Sequence, residues 1–259
     1  MRKDYHMHPN VLKTPERFDL FVQKALEMNI QEICITDHMP LSISNAGDRI
    51  SAGCVSRYCR YVGALAQKYD GVIRIKCGIE IDFFPSVTDE INQVLEAGTF
   101  DYILASSHMH VFVKDYENYT FNDFARAAIE NSIRAVEFGR FHAISHLDMY
   151  RFAFENPKRF PLVQDNYAPL YHEVWIKELL DVLAAHGMYL EINPHLAEGK
   201  KDISFTYPEA PIVGWALDRN VRFSYGSDAH RPDSVGAYID ELESHPVYGK
   251  ALAGWENGK

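Results

Sequence analysis

The amino-acid sequence predicts an α/β fold built on a parallel sheet, and two features support that prediction. Short apolar segments of strand length recur along the chain, and amphipathic helical patterns separate them. Strands that alternate with helices favour parallel pairing, because each helix returns the chain to the same end of the sheet. Seven predicted strands leave an incomplete (β/α) barrel and an open doubly wound sheet as alternatives. The predicted strands are residues 3–7, 32–37, 73–82, 101–107, 142–146, 188–193 and 221–227.

Three helical stretches between these strands carry apolar residues on one face. Thr14, Pro15 and Glu16 predict the start of the first helix, with a threonine N-cap and proline at the first helical position. The apolar stripes are Phe18, Phe21, Val22, Ala25 and Met28, then Phe121, Phe124, Ala128, Ile129, Ile133 and Val136, then Leu179, Leu180 and Leu183 within 168–186.

Length, composition and charge restrict the class of protein and its partners. With 47% apolar residues, the 259-residue chain can bury one sizeable core, which allows one α/β barrel or two small domains. The motifs described below favour a single domain over residues 1–259. A formal net charge of −10 without a Lys/Arg-rich block disfavours nucleic-acid polymers. Four scattered cysteines and the lack of a signal-peptide pattern indicate a reduced, cytoplasmic setting. No apolar run predicts a membrane span, and no pattern indicates an oligomeric state.

Histidines concentrate where the predicted strands end. In a barrel these carboxyl ends converge on one mouth, where active sites are built. Two carboxylates share the location, Glu80 within "GIEIDFFP" and Asp228 within "GSDAH". Eight of the twelve histidines lie at or just past a strand end: His6, His8, His38, His108, His110, His146, His195 and His230.

This joint set predicts a metal cluster, although a single histidine at a strand end is more often a satisfied polar group. Imidazole and carboxylate without thiolate suit zinc, manganese or iron. The number of nitrogen and oxygen donors exceeds one tetrahedral site, so we expect two or three divalent ions. His6 and His8 would share one face if the first strand contained both, and Asp228 and His230 would both point inward if the last strand continued.

We expect three aspartates near these positions to support the site or the fold. Asp4 and Asp82 either accept hydrogen bonds from ligand imidazoles or cap strand ends. Asp37 precedes His38 and should point the other way on a strand, so we expect it to support the site or the fold rather than to bind metal.

Six short motifs occur in an order that resembles the polymerase-and-histidinol-phosphatase (PHP) family. They are "DYHMH", "TDH", "GIEID", "SSH", "SHLD" and "GSDAHRP", and the resemblance spans residues 4 to about 236. Residues 206–236 are similar to the bacterial histidinol-phosphate phosphatase branch in particular. The resemblance implies a distorted seven-stranded (β/α)7 barrel with a metal site at the carboxyl ends of the strands.

The resemblance also implies three groups of ligands, with Glu80 bridging the first two ions. Family members often supply a further histidine to the third ion at the position that Thr14 occupies here. The groups are His6, His8, Glu80 and Asp228 for the first ion, Glu80, His108 and His146 for the second, and His38 and His230 for the third.

The implied activity is metal-dependent hydrolysis of a small phosphate monoester, by attack of metal-bound hydroxide. L-histidinol phosphate, cleaved to L-histidinol and phosphate in histidine biosynthesis, is the substrate that the branch implies. His230 and His195 are candidates to protonate the leaving group beside Asp228. Arg151 and Arg231 lie next to ligand positions and could hold the substrate phosphate, with His110 near the substrate or at the rim.

Three other functions compete with this one. A related phosphoesterase could act on a nucleotide, a cyclic phosphate or a phosphotyrosine. An amide or ester hydrolase could use a similar metal barrel, but such enzymes commonly bridge their metals with a modified lysine, whereas the bridging candidate here is Glu80. The chain could also be a non-catalytic metal-binding module, against which the nearly complete ligand set argues.

Overall fold

The computed structural model describes residues 1–39, 52–108, 120–153 and 169–256. Within these ranges, seven strands form one parallel sheet in which each strand pairs with its neighbour in the chain. The strands are β1 (Arg2–Asp4), β2 (Ile30–Ile35), β3 (Arg74–Asp82), β4 (Tyr102–Ser106), β5 (Ala143–Ile144), β6 (Tyr189–Ile192) and β7 (Arg222–Tyr225).

Helices follow the strands and pack on the outside of the sheet. In the described residues they are α1 (Phe18–Glu27), α2 (Val55–Lys68), α3 (Thr88–Ala97), α4 (Phe121–Phe138), α5 (Pro169–His186), α6 (His195–Lys200), α7 (Ala210–Asp218), α8 (Ile239–Ser244) and α9 (Tyr248–Glu256). No helix in this part of the chain is both long and apolar enough to cross a membrane.

Backbone hydrogen bonds join the first and last strands just beyond their ends. The Tyr5 N–H donates to the Tyr225 carbonyl at 3.0 Å, and the Asp228 N–H donates to the His6 carbonyl at 2.7 Å. Met7 forms a parallel bridge with Ala229. The sheet therefore closes on itself, which confirms the seven-stranded barrel and excludes the open sheet.

Alternation along β3 separates the outer core from the interior of the barrel. Ile79 and Ile81 face outward and join the apolar core under the helices, whereas Glu80 faces the interior. A Cβ added to Gly78, on the inner face, would lie 2.5 Å from the Cys34 Sγ and 2.9 Å from the Tyr102 carbonyl. The barrel is therefore filled by side chains below the level of Glu80, and its polar residues collect at the carboxyl end.

The first and last strands end earlier than the sequence predicts. β1 ends at Asp4 and β7 at Tyr225, so His6, His8, Asp228 and His230 project from the segments beyond the strands rather than from strand faces. Asp228 has a backbone φ of 55°, which turns its side chain out of strand alternation.

The predicted helix start is observed, but Thr14 does not cap it with its side chain. A 3₁₀ turn at Pro15–Arg17 precedes α1, and Thr14 occupies the residue before that turn. Its hydroxyl donates backward to the Pro9 carbonyl at 3.0 Å instead of accepting from a helical N–H. The three apolar stripes do face the core, with Phe18, Phe121 and Leu179 buried among them.

Candidate metal centre

Glu80 is the centre of a buried cluster at the carboxyl end of the barrel. Its Oε1 lies 3.0 Å from the His146 Nε2, and its Oε2 lies 2.6 Å from the His38 Nδ1. The Ser106 hydroxyl also donates to Oε1. Five histidines of the described chain have a ring nitrogen within 3.9 Å of this carboxylate, namely His6, His8, His38, His108 and His146.

The segment after β1 brings His6 and His8 together against two carboxylates. Their Nε2 atoms are 3.0 Å apart, and each lies 3.4 Å from the Glu80 Oε2. The His8 Nε2 is also 3.1 Å from the Asp228 Oδ1, which arrives from the turn after β7. These are the four side chains that the family resemblance assigns to the first ion.

A second group surrounds the other oxygen of Glu80. His146 follows β5, and His108 follows β4 with its Nε2 3.9 Å from the Glu80 Oε1. The Nδ1 of His108 hydrogen-bonds to Asp82 Oδ1 at 2.7 Å, which directs Nε2 toward Glu80. Of the two roles considered for Asp82, the structure therefore shows that of imidazole acceptor.

The third group combines His38 and His230 with His8, whose donor atoms all lie within 4.8 Å of one another. The His8 and His38 rings stack with centroids 4.0 Å apart. The same distance limit groups His195 with Asp228 and His230. Thr14, which stands where the family often has a histidine, has its hydroxyl engaged by the Pro9 carbonyl.

The donors fit divalent cations. Glu80 Oε2 and His8 Nδ1 are buried and make no hydrogen bond of normal geometry with the described residues, although three histidine nitrogens crowd the carboxylate oxygen. Nitrogen and oxygen donors that converge without thiolates are the set that zinc, manganese and iron accept. Divalent metal binding at this cluster follows from the donor chemistry and from the arrangement of the three groups.

Electrostatics keep both carboxylates ionised. Burial by itself raises the pKa of Glu80, but His38 and His6 outweigh it and hold that pKa well below the usual value. Burial and His6 act on Asp228 in the same opposed way, and its pKa is likewise lowered. Burial, followed by the charge on His38, lowers the pKa of His8. Burial lowers the pKa of His6, but the carboxylates of Glu191, Asp228 and Glu80 outweigh it and hold that pKa well above the usual value. The cluster therefore presents two negative charges and a neutral His8, and a cation bound here takes the place of the His6 proton.

Two aspartates near the cluster support the backbone instead of a ligand. Asp37 accepts the N–H groups of Asn10 and Val11 at 2.7 and 2.9 Å, and its burial raises its pKa to about 6. Asp4 accepts the N–H groups of Ser227 and Gly236 at 2.9 and 3.1 Å. Both carboxylates therefore hold the loops that carry the ligand histidines.

Sequence reasoning missed Glu191, a buried residue of β6. Its Oε1 lies 2.6 Å from the His6 Nδ1, and its Oε2 accepts the His146 N–H at 2.9 Å. Asn193, two residues later, donates to the same carboxylate at 3.1 Å. The available signal was an acid within the otherwise apolar strand "MYLEIN", the same feature that singled out Glu80 in "GIEID".

The two arginines expected to bind the substrate phosphate lie in different surroundings. Arg151 is largely buried and forms ion pairs with Asp148 and Glu209, each 2.7 Å from its guanidinium. Arg231 is 71% exposed and lies 3.3 Å from Glu198.

His195 is at the rim of the cluster. Its side chain is 44% exposed, and its Nδ1 lies 4.0 Å from the Asp228 Oδ2. His230 is half-exposed, with its Nδ1 2.9 Å from the Asp228 carbonyl. His110, expected near the substrate, lies outside the described residues.

Proteins with known descriptions resemble this chain over most of its length. It is 29% identical to a "probable histidinol-phosphatase" of Deinococcus radiodurans, over 90% of this chain and 88% of the relative. It is 26% identical to a histidinol-phosphatase of Bacillus subtilis, over 93% and 98% of the two chains. Among solved structures, histidinol phosphate phosphatase from Lactococcus lactis, complexed with zinc, L-histidinol and phosphate, superposes with a TM-score of 0.76. That structure shares 22% identity and covers 96% of this chain and 93% of its own.

The family assignment comes from a direct match to a family model. The PHP domain model matches residues 4–195, which is most of the chain and includes Glu80 and the histidines that follow β1, β2, β4 and β5. The similar structure from Lactococcus lactis shares the fold that the strand order defines here. The chain therefore belongs to the PHP domain family.

Proposed function

We propose that this protein is a metal-dependent phosphatase that hydrolyses L-histidinol phosphate to L-histidinol and phosphate. The observation that carries the proposal is the convergence of five histidines on the buried Glu80, with Asp228 beside them. The relatives described as histidinol-phosphatases, which match about nine-tenths of the chain, support the choice of substrate.

We propose that one set of side chains binds the cations and that another set contacts the substrate. We assign His6, His8, Glu80 and Asp228 to the first ion, Glu80, His108 and His146 to the second, and His38 and His230 to the third. The family resemblance implies these sets, and the distances around Glu80 and among the third group support them. Bound divalent ions supply positive charge for the phosphoryl oxygens and lower the pKa of water to about 7. Without them, the two ionised carboxylates would repel a phosphate dianion.

His195 and Arg231 are the residues that we assign to the substrate at the rim. We propose that His195 gives a proton to the leaving alkoxide, and its exposed imidazole beside Asp228 supports this role. Arg231 is exposed and follows His230 directly, so its guanidinium is available to phosphoryl oxygens. Arg151 instead ties the loop after β5 to Thr206 and Glu209, and we propose that it shapes the mouth of the site.

We also propose that the whole chain forms one domain, because the described residues form a single sheet of seven strands and its two largest apolar clusters share packed residues such as Met28 and Phe100. The scattered, unpaired cysteines of the sequence support a cytoplasmic location.

The test combines metal analysis with a panel of substrates. The protein is purified with its metals retained, the metals are counted, and hydrolysis of L-histidinol phosphate is compared with that of nucleotides, cyclic phosphates and phosphotyrosine. We expect at least two ions per chain and the highest kcat/KM for L-histidinol phosphate. Hydrolysis of other monoesters but not of L-histidinol phosphate would reject the substrate. A protein that binds no divalent metal and hydrolyses no phosphate ester even when metal is supplied would reject the class.

A pair of histidine variants tests the role of His195. We expect His195→Gln to lower kcat by about 100-fold or more, in the range for loss of a general acid. His186→Gln is the matched control, because His186 ends α5 and hydrogen-bonds to the Val182 carbonyl, away from the cluster. Equal kcat values in the two variants would contradict the assignment.

A further inference from the structure

We propose that Glu191 is a positioning residue that orients ligands of two different metal ions at once. One carboxylate oxygen hydrogen-bonds to the His6 imidazole at 2.6 Å, and the other accepts the His146 backbone N–H at 2.9 Å. His6 lies 3.4 Å from the Glu80 Oε2 and His146 lies 3.0 Å from the Glu80 Oε1, and the proposed function assigns these two sides of Glu80 to the first and second ions. This inference rests on the metal-dependent phosphatase proposed above.

The contact with His6 selects the tautomer of its ring. As a metal ligand His6 is neutral and has one N–H, which the buried carboxylate Oε1 of Glu191 accepts from Nδ1. The lone pair of Nε2 is then directed to the side where Glu80 Oε2 lies at 3.4 Å and Asp228 Oδ1 at 3.7 Å. Glu191 therefore orients His6 as a metal ligand.

The contact with His146 stabilises an uncommon backbone conformation of that residue. His146 has a φ of 22°, a positive value that side-chain-bearing residues rarely adopt. Glu191 Oε2 accepts the N–H of this residue, and the turn places the His146 Nε2 3.0 Å from the Glu80 Oε1. The carboxylate therefore stabilises the backbone conformation that brings His146 to Glu80.

The surroundings of Glu191 leave its carboxylate in one position. Asn193 donates to Oε2 at 3.1 Å, and the same amide nitrogen lies 3.4 Å from the Asp228 Oδ2. A Cβ added to Gly226 would lie 2.2 Å from the Glu191 Oε1 and 2.3 Å from the His6 Cβ. Glycine at 226 therefore makes room for the pair of Glu191 and His6, and Asn193 extends the network to Asp228.

Asp82 provides the contrast that makes the proposal testable. Its carboxylate accepts both the backbone N–H and the Nδ1–H of His108, a ligand for the second ion alone. An Asp82→Asn change should therefore weaken one ion. A glutamine at position 191 has one carbonyl oxygen, so it can accept from only one of His6 and His146. The other histidine loses its acceptor, and the remaining hydrogen bond goes to a neutral oxygen instead of a charged one. Glu191→Gln should therefore weaken two ions.

The experiment measures zinc affinity rather than turnover. Metal-free wild type, Glu191→Gln and Asp82→Asn are titrated with zinc against a competing chelator, and bound zinc per chain is counted at each step. We expect about 10- to 100-fold weaker binding of two ions in Glu191→Gln and of one ion in Asp82→Asn. Glu32→Gln is the matched control, because Glu32 is also a buried strand glutamate but pairs with Tyr5 and Arg74.

The outcomes separate this inference from the proposed function. Weakening of one ion or none in Glu191→Gln, while wild type binds two or more, overturns the inference and leaves the phosphatase intact. Wild type that binds no zinc overturns the proposed function instead.

If Glu191→Gln does not fold, nitrogen NMR of zinc-loaded wild type locates the ring proton of His6 and so tests its orientation. We expect the His6 proton on Nδ1, and a proton on Nε2 would refute the inference.

Discussion

Replacement of Glu80 by glutamine is the sharpest test of how this site holds cations. The change keeps the size of the side chain and removes one negative charge from the middle of five histidines. Both carboxylate oxygens face ligand nitrogens, His146 on one side and His38 on the other. A glutamine offers one carbonyl oxygen, so one of these sides must face an amide N–H instead.

The magnitude follows from the distances in the cluster. Unit charges separated by the 3.4 Å between Glu80 Oε2 and the His6 or His8 Nε2 interact by about 5 kcal/mol at an effective dielectric constant of about 20. At about 1.4 kcal/mol per factor of ten, that energy corresponds to about 1,000- to 10,000-fold in affinity for a cation among these nitrogens. We expect Glu80→Gln to lose at least one ion and to lower kcat/KM by a similar factor.

The assay pairs metal content with phosphate release under identical conditions. Glu32→Gln again serves as the control, since it makes the same substitution at a buried strand glutamate whose partners are Tyr5 and Arg74. Full metal content together with wild-type phosphate release in Glu80→Gln would refute the central role of this carboxylate.

Three further predictions concern stability. Removing metal with a chelator should lower the unfolding free energy by about 2.7 kcal/mol per ion that was present at 100 times its Kd, which calorimetry with and without added zinc measures. Gly78→Ala should cost about 1–3 kcal/mol in chemical denaturation, because its Cβ would lie 2.5 Å from the Cys34 Sγ and 2.9 Å from the Tyr102 carbonyl; an unchanged midpoint would contradict this packing. Burial lowers the pKa of His172, whose Nε2 accepts from the Tyr150 hydroxyl. The unfolding free energy should therefore fall as pH drops below about 6.5 through that lowered pKa, and less steeply in His172→Gln.

Much of the architecture was readable from local patterns. The segments that predicted strands coincide with β1 to β7 to within a few residues, and the apolar stripes at Phe18, Phe121 and Leu179 are buried. The reason is that burial of one face imposes a period of two or 3.6 residues on each element separately. The donor set was readable for a related reason, since parallel strands bring their carboxyl ends to one mouth.

Other features depended on contacts that no local pattern encodes. The pairing of His6 with Glu191 joins the segment after β1 to β6, and only the closure of the barrel brings these segments together. Asp82 and Asp4 look alike in sequence, yet one supports an imidazole and the other supports backbone N–H groups. Arg151 adjoins a ligand position in sequence, but a neighbouring carboxylate captures its guanidinium.

The sequence by itself determined the class of fold and the residues that could bind metal, because these depend on periodicity and on residue type at strand ends. Its six motifs, in their order, carried the resemblance to the family. The tertiary structure decided that the sheet closes, that Glu80 lies among five histidines, and that Glu191 spans two of the ligand groups. Those outcomes depend on angles and distances between segments far apart in the chain. A turn such as that at His146, with its φ of 22°, becomes favourable only when a distant side chain is present to hold it.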